Sequence, residues 1–455
     1  VYNQLAEIYL QSSDVENYEK TLNQWIDQVP TESGIYYSLA KAFLQLQDYP
    51  KAKKYIDKSL EICPNGSGFW AMRAEIQQEA GKKSDAIKAY REALKYSATD
   101  YESRSRLREL EGKQSVFGNF PEVDINAMVK AGPDASEFPN DGAIYLLDDT
   151  RRVIYEEGAS EIQNEVLIKV FNADGIDVFK EYNLGYNGYS EALIVEKAIV
   201  MKADGTEIKA DENGGELVFK SLEPNDHIYM KWRIQNYNQG RLSQHLWEET
   251  HFNYFYPVKE RKYALLAPKG YPLQTKTQFM PNAPQKSQTP DGQLFQWSLH
   301  DQAAILSEYN ARDLDDYGKM LFVSTLPDWE YLVDWYLDLA KTKTRSSYEI
   351  QEAVAALFEE KSDLSEIEKI EAIYNFITEN IHYSSVSFRQ SGLIPQKARD
   401  VLVQRLGDCK DVATLCISML KEADIPAHYV LVNTFEEGLN EDILPAIEFN
   451  HAIVG

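Results

Sequence analysis

Of the three cysteines in the chain, Cys63, Cys409 and Cys416, one stands in a setting suited to chemistry. Cys409 lies in Gly407-Asp408-Cys409-Lys410-Asp411, where a loop turns into an amphipathic run. Val412, Leu415, Cys416, Met419, Leu420 and Ala423 recur at the three- and four-residue spacing that gives a helix one buried face. Asp408 is a natural N-cap for that helix, with Asp411 as its capping-box partner. A thiol in the first turn faces unpaired backbone N–H groups and the positive end of the helix dipole, and both favour thiolate. An Asn450-His451 pair follows about forty residues later on an expected strand. A nucleophile and a base are therefore in prospect, as cysteine acyl transfer requires.

The remaining polar candidates have blander readings. Asn450 adjoins His451 but falls on the opposite strand face, so the group that orients the ring is expected from a following strand, beyond Gly455. His382 and His428 are rival bases in segments that read as packed, and the other four histidines carry no assigned role. Lys410 and Asp411 read as exposed first-turn charges. Cys416 sits on the apolar stripe as a small buried hydrophobe, and Cys63, before Pro64 at a helix end, reads as structural. Neither a metal-ligand cluster nor a glycine-rich phosphate loop occurs, so no metal or cofactor is expected.

Three domains are expected for 455 residues. Hydrophobic content of 44% with 12% aromatics marks a globular chain. With 47 basic against 72 acidic residues the formal charge is −25, which opposes nucleic-acid backbones as partners. No apolar stretch approaches the ~18 residues of a membrane-spanning helix. Val1 opens inside a helical pattern without a signal-like segment, so a fragment or processed form is expected.

The first hundred residues repeat. Tyr2, Tyr36 and Trp70 are 34 apart, as are Ala6, Ala40 and Ala74, and Leu22, Ile56 and Tyr90. Pro30 and Pro64 close two units in register, while Tyr18 stands where the other units carry Ala52 and Ala86. Helical repeats over 1–112 are expected, followed by a linker over 113–142 rich in glycine, proline and acidic residues. Between 143 and 310 the period becomes alternating, with strand-like runs such as 143–147, 165–171, 176–182, 192–201, 227–235 and 244–255 and turn signals at Asp174-Gly175 and Asp204-Gly205. An antiparallel, sandwich-like β-module is expected there. Helices return over 311–455, with Pro327 placed for a first turn and capping boxes at Ser346/Glu349 and Ser365/Glu368.

The 34-residue period resembles the tetratricopeptide repeat, an α-solenoid whose concave face takes a peptide or partner protein. The run Gly407 to Leu415, with Ile425-Pro426-Ala427 and Phe449-Asn450-His451-Ala452, resembles the cysteine and histidine motifs of the transglutaminase-like superfamily. That resemblance implies an α+β papain-like domain in which Cys409 is the nucleophile, His451 the base and an Asp on the next strand the orienting group. The segments 143–147, 224–226 and 256–258 are similar to a domain of unknown function that precedes such domains in bacterial, often Bacteroidetes, envelope proteins. The resemblance implies a periplasmic or envelope-associated protease, amidase or acyltransferase acting on a protein or peptide, with repeats for partner binding. The alternative is a non-catalytic scaffold or accessory subunit of an envelope complex.

Overall fold

Alanine at the contact positions lets paired helices approach closely, and the computed structural model forms three helical hairpins on that basis. They are Tyr2–Gln11 with Val15–Ile26, Ser33–Gln45 with Tyr49–Ile62, and Ser67–Glu79 with Lys83–Tyr96. Ala6, Ala40 and Ala74 are buried, as are Ala52, Ala86 and the Tyr18 that takes their place. The repeat aromatics also join successive units, since Tyr36 and Trp70 donate to the carbonyls of Pro30 and Pro64 at 3.3 and 2.8 Å.

The structure describes residues 1–281, 283–308, 311, 313–359, 364–384, 392–434 and 444–455. They form two compact units: Val1–Gln244 with Tyr256–Tyr271 and Ala283–Ile305, and His245–Phe255 with Pro272–Asn282 and Leu306–Gly455. Two segments from within 143–310 thus belong to the C-terminal unit. Strands Trp247–His251 and Gln274–Gln278 flank Met320–Ser324 there in a three-stranded sheet. A strand signal reports alternation and is silent about which sheet completes the hydrogen bonds. Among the described residues no helix is long and apolar enough to cross a membrane.

In the first unit an eight-stranded sheet follows the repeats. Its pairs are antiparallel except that Ala143–Ile154 and Val258–Ala267 run parallel, which departs from the antiparallel expectation. One expected strand is also replaced. Residues 173–179 form a helix, capped by Asn172, whose side chain accepts from the Gly175 N–H at 3.2 Å. Ile176 and Phe179, three apart, turn the same face into the module core. A Cβ at Gly175 would lie 1.9 Å from the Gly142 carbonyl oxygen, so the Asp174-Gly175 pair marks a close backbone approach instead of a hairpin turn.

The last repeat helix, Tyr101–Glu111, joins the repeats to the sheet. Tyr101 donates to the carbonyls of Ser160 and Asn236, at 2.8 and 2.7 Å. Arg104 pairs with Glu157 at 2.8 Å over the Tyr155 ring, and Arg108 grips both Asp291 oxygens at 2.9 Å. One sheet face carries buried charge: Arg151 bridges Asp149 and Glu165 at 2.7 and 2.9 Å, and Tyr229 donates to Glu165 at 2.6 Å. Burial raises the Asp149 carboxyl above its ordinary value despite the adjoining Arg151.

Candidate active site

The helix Cys409–Glu422 is the centre of the C-terminal unit, and its apolar face explains why. Leu415, Met419 and Leu420 pack with Ile350, Val354, Ile373, Ile377 and Val401, drawn from three other helices. Each such side chain contributes about 1.5–3 kcal/mol on full burial, so the helix is held by its core face and not by local propensity.

Its N-terminus is closed by a reciprocal capping box. Asp408 accepts from the Asp411 N–H, and Asp411 accepts from the Asp408 N–H, both at 3.3 Å. Asp411 departs from the exposed role expected of it, being only 5% exposed. Its carboxylate also accepts from the Gln396 N–H and from the Gln396 side-chain amide, each at 2.7 Å, and so fastens the preceding loop to the helix start. The Lys410 ammonium pairs with Asp408 and is largely buried rather than exposed. A Cβ at Gly407 would stand 2.7 Å from the Asp411 Cβ, which is why glycine precedes the cap. The expected box at Ser346/Glu349 does not form: Ser347 is the N-cap, and Ser346 donates to Glu422 at 2.6 Å. The box at Ser365/Glu368 does form, and Pro327 lies just outside its helix, whose N-cap is Asp328.

Cys409 is half-buried in the first turn of this helix. The two-residue strand Leu406–Gly407 pairs in parallel with His382–Tyr383, placing Tyr383 opposite Gly407. The Ser384 N–H extends that ladder to the Gly407 carbonyl at 3.0 Å. The Tyr383 phenol is raised above its ordinary value by burial and then by the nearby Cys409. Tyr336 packs behind, its ring 5.5 Å from and nearly perpendicular to that of Tyr429, with its phenol raised chiefly by burial. Cys416, one face around on the same helix, is pushed up to about 11 by burial.

His451 begins the strand His451–Val454, which pairs antiparallel with Tyr429–Val432 and packs on the Cys409 helix. Thr414 ties the sheet to the helix, meeting the Tyr429 hydroxyl at 2.8 Å. The ring of His451 is half-buried and shares a strand face with Ile453, while Ala452 and Val454 alternate to the other side. Among the described residues no hydrogen bond joins the His451 ring to Cys409. Asn450 closes the end of the hairpin, accepting from the Thr434 N–H at 2.9 Å. His382 and His428 are exposed, not packed as expected.

The segment leading to His451 has its own attachments. Ser324 donates to the Pro445 carbonyl at 2.6 Å, and the Phe449 ring lies 6.0 Å from Trp329. Burial, and then the neighbouring Glu448 carboxyl, push Glu249 up to about 9. None of these contacts, nor the Tyr383 and Asp411 interactions, has a local sequence signature, although the Asp-x-x-Asp spacing announces the cap itself.

The geometry of this unit is that of a thiol at a capped helix start with antiparallel strands beside it. A family model for the transglutaminase-like superfamily matches residues 352–452, one for the domain of unknown function DUF3857 matches 215–306, and tetratricopeptide-repeat models match 33–65 and 67–100. The chain thus carries tetratricopeptide repeats, a DUF3857 domain and a transglutaminase-like domain, in that order. Among solved structures, a Parabacteroides distasonis protein described as a candidate protease superposes with a TM-score of 0.54 at 20% identity, covering 69% of this chain. The chain spans 65% of the length of that structure. The first repeat domain of human RPAP3 and the Arabidopsis OM64 repeat domain each align at 15% identity with a TM-score of 0.23, over 25% and 24% of this chain and 88% and 92% of their own. No curated protein matches.

Proposed function

We propose that the chain is a thiol-dependent acyl-transfer or amide-hydrolysing enzyme acting on a protein or peptide, with Cys409 as nucleophile and His451 as base. The observation that carries this reading is Cys409 at a capped N-terminus, with the His451 strand packed on the same helix. In the reaction the His451 ring takes the thiol proton and the sulfur attacks the substrate carbonyl carbon. The carbonyl π pair moves to oxygen and then returns to re-form the carbonyl as the C–N bond breaks, the C–N pair leaving with the amine, which takes the proton back from His451. Water or a second amine then releases the acyl group. The match to the transglutaminase-like superfamily and the fold shared with a candidate protease support this class of chemistry. The repeats would hold the partner that presents the substrate, and the expected setting is the cell envelope.

A non-catalytic scaffold is the second reading, favoured by the missing hydrogen bond between thiol and imidazole. Iodoacetamide near neutral pH separates the two, with wild type, Cys409→Ala and His451→Ala compared by peptide mass. Rapid modification of Cys409, slowed at least tenfold in His451→Ala, is the expected result for an enzyme. With its thiol at about 11, Cys416 is thiolate to only about 3 parts in 10,000 at pH 7.5 and labels far more slowly. Labelling of Cys409 no faster than Cys416, and indifferent to His451, leaves the scaffold reading standing alone.

A further inference from the structure

The charged face of the eight-stranded sheet has a gap in it. Strands Ala143–Ile154, Val258–Ala267, Gly292–Gln302 and Gln285–Thr289 lie side by side in that order. Their register sets Arg151 beside Ala264, Ala264 beside Gln296 and Gln296 beside Gln285; Asp149, Lys262 and Ser298 stand abreast two residues away, and so on the same face. Ala264 is the one short residue of its row, and a cavity of about 150 Å³ opens there, lined also by Phe120. Two strand spacings, about 10 Å, separate Arg151 from Gln296 across the gap.

The polar walls are only partly used. Arg151 gives Nε and a terminal nitrogen to the same Asp149 oxygen, Oδ2, at 3.0 and 2.7 Å, which leaves Oδ1 without a protein donor although Asp149 is 4% exposed. Among the described residues no protein atom bonds the side-chain amides of Gln285 and Gln296 or the Ser298 hydroxyl. Charge, by contrast, is matched: Arg151 bridges Asp149 and Glu165, Lys231 reaches Glu165 at 3.4 Å, and Lys262 pairs with Glu260 at 2.8 Å. An ion of either sign would upset that balance. An apolar group would strand a carboxyl that burial already holds above its ordinary value. What fits is a neutral group bearing hydroxyls, each able to donate to Oδ1 and to accept from an amide or from Lys262. In volume the gap suits one six-membered ring, since an enclosed site of this size holds benzene.

We propose that the cavity over Ala264 binds one neutral sugar residue: a hydroxyl donates to Asp149 Oδ1, its neighbours share the Gln296 and Gln285 amides, and a C–H face of the ring lies against Phe120. A glycan is thus the ligand class of this sheet, separate from any peptide held by the repeats.

The full chain, titrated with the methyl glycosides of glucose, galactose, mannose and xylose and followed by saturation-transfer NMR, is expected to bind at least one with a Kd on the order of 1 mM, ordinary for a single ring. Gln296→Ala removes an amide that no protein atom uses, so it spares the fold, and is expected to weaken that binding about tenfold. Ala264→Leu fills the gap and is expected to abolish binding. Circular dichroism and the urea midpoint establish whether it folds, and the glutamine variant decides alone if it does not. Failure of all four sugars at about 10 mM leaves a water-filled hollow and overturns the proposal. So does binding that Gln296→Ala or a folded Ala264→Leu leaves unchanged, which puts the sugar elsewhere. Binding of Nα-acetyl-lysine amide in place of the sugars, lost in Ala264→Leu, makes this a cation site and overturns it equally.

Discussion

Replacing Asp411 by alanine tests whether the site is held from its cap. The carboxylate accepts two bonds from Gln396 at 2.7 Å and one from the Asp408 N–H at 3.3 Å. Charge-assisted hydrogen bonds contribute about 1.5–3 kcal/mol each, and a capping interaction about 1 kcal/mol. Alanine removes every acceptor at once and leaves the Gln396 N–H without a partner in a half-buried place. Water can reach part of Gln396, so the lower end applies to its two bonds, the 3.3 Å cap bond adds little, and the cost is about 3 kcal/mol. Cys416, on the same helix and with a thiol that is nearly all protonated when buried, reports unfolding of this unit directly. Trapping it against urea, with a slope of about 2 kcal/mol per molar, the midpoint falls by about 1.5 M. Asp411→Asn keeps one acceptor and is expected to lose about half as much. A shift under about 0.3 M for the alanine variant would refute the reasoning, because the buried carboxylate would then be doing no more than a surface cap.

Two further outcomes follow from charges elsewhere. Glu249 stands at about 9 against an ordinary 4.5, so the folded C-terminal unit keeps a proton that the unfolded chain has lost. The stability this contributes is full below 4.5, declines as pH rises toward about 9, and levels off above it. The urea midpoint read at Cys416 should therefore fall across that window in wild type and fall less in Glu249→Gln; identical pH profiles would exclude the raised carboxyl. In the first unit, Arg108→Ala leaves Asp291 without its bidentate partner, and breaking so largely buried a pair costs about 3 kcal/mol. Hydrogen exchange should speed in Tyr101–Glu111 and in the facing turn at Asp291, and unchanged protection there would show the pair to be ornamental.

What could be read from the sequence was whatever repeats or alternates within a short window. The 34-residue period exposes Ala6, Ala40 and Ala74 because each hairpin solves the same packing problem. The stripe from Val412 to Ala423 and the Asp408/Asp411 spacing likewise give both the Cys409 helix and its cap. Residues 173–179 form a helix where a strand is expected, because Asp-Gly is a hairpin signal whose meaning depends on whether another backbone, here that of Gly142, lies against it. The strands at 247–251 and 274–278 are legible as strands, but their partner at 320–324 carries no mark of the pairing. Asp411 looks like an ordinary first-turn acid until Gln396, fifteen residues earlier, is folded against it. The neighbourhood of Tyr383 and Gly407 arises the same way, from a two-residue ladder too short to leave a pattern.

The thiol and the imidazole are held by different means, and this bears on how the site can work. Cys409 is fixed by its helix core and by the Asp411 clamp, so its position follows the rigid part of the unit. His451 follows a segment fastened at Pro445, Glu448 and Phe449 to the three-stranded sheet and the Trp329 helix. Only the second set includes a carboxyl raised by burial, Glu249, so deprotonating it is expected to loosen the His451 strand before the helix start.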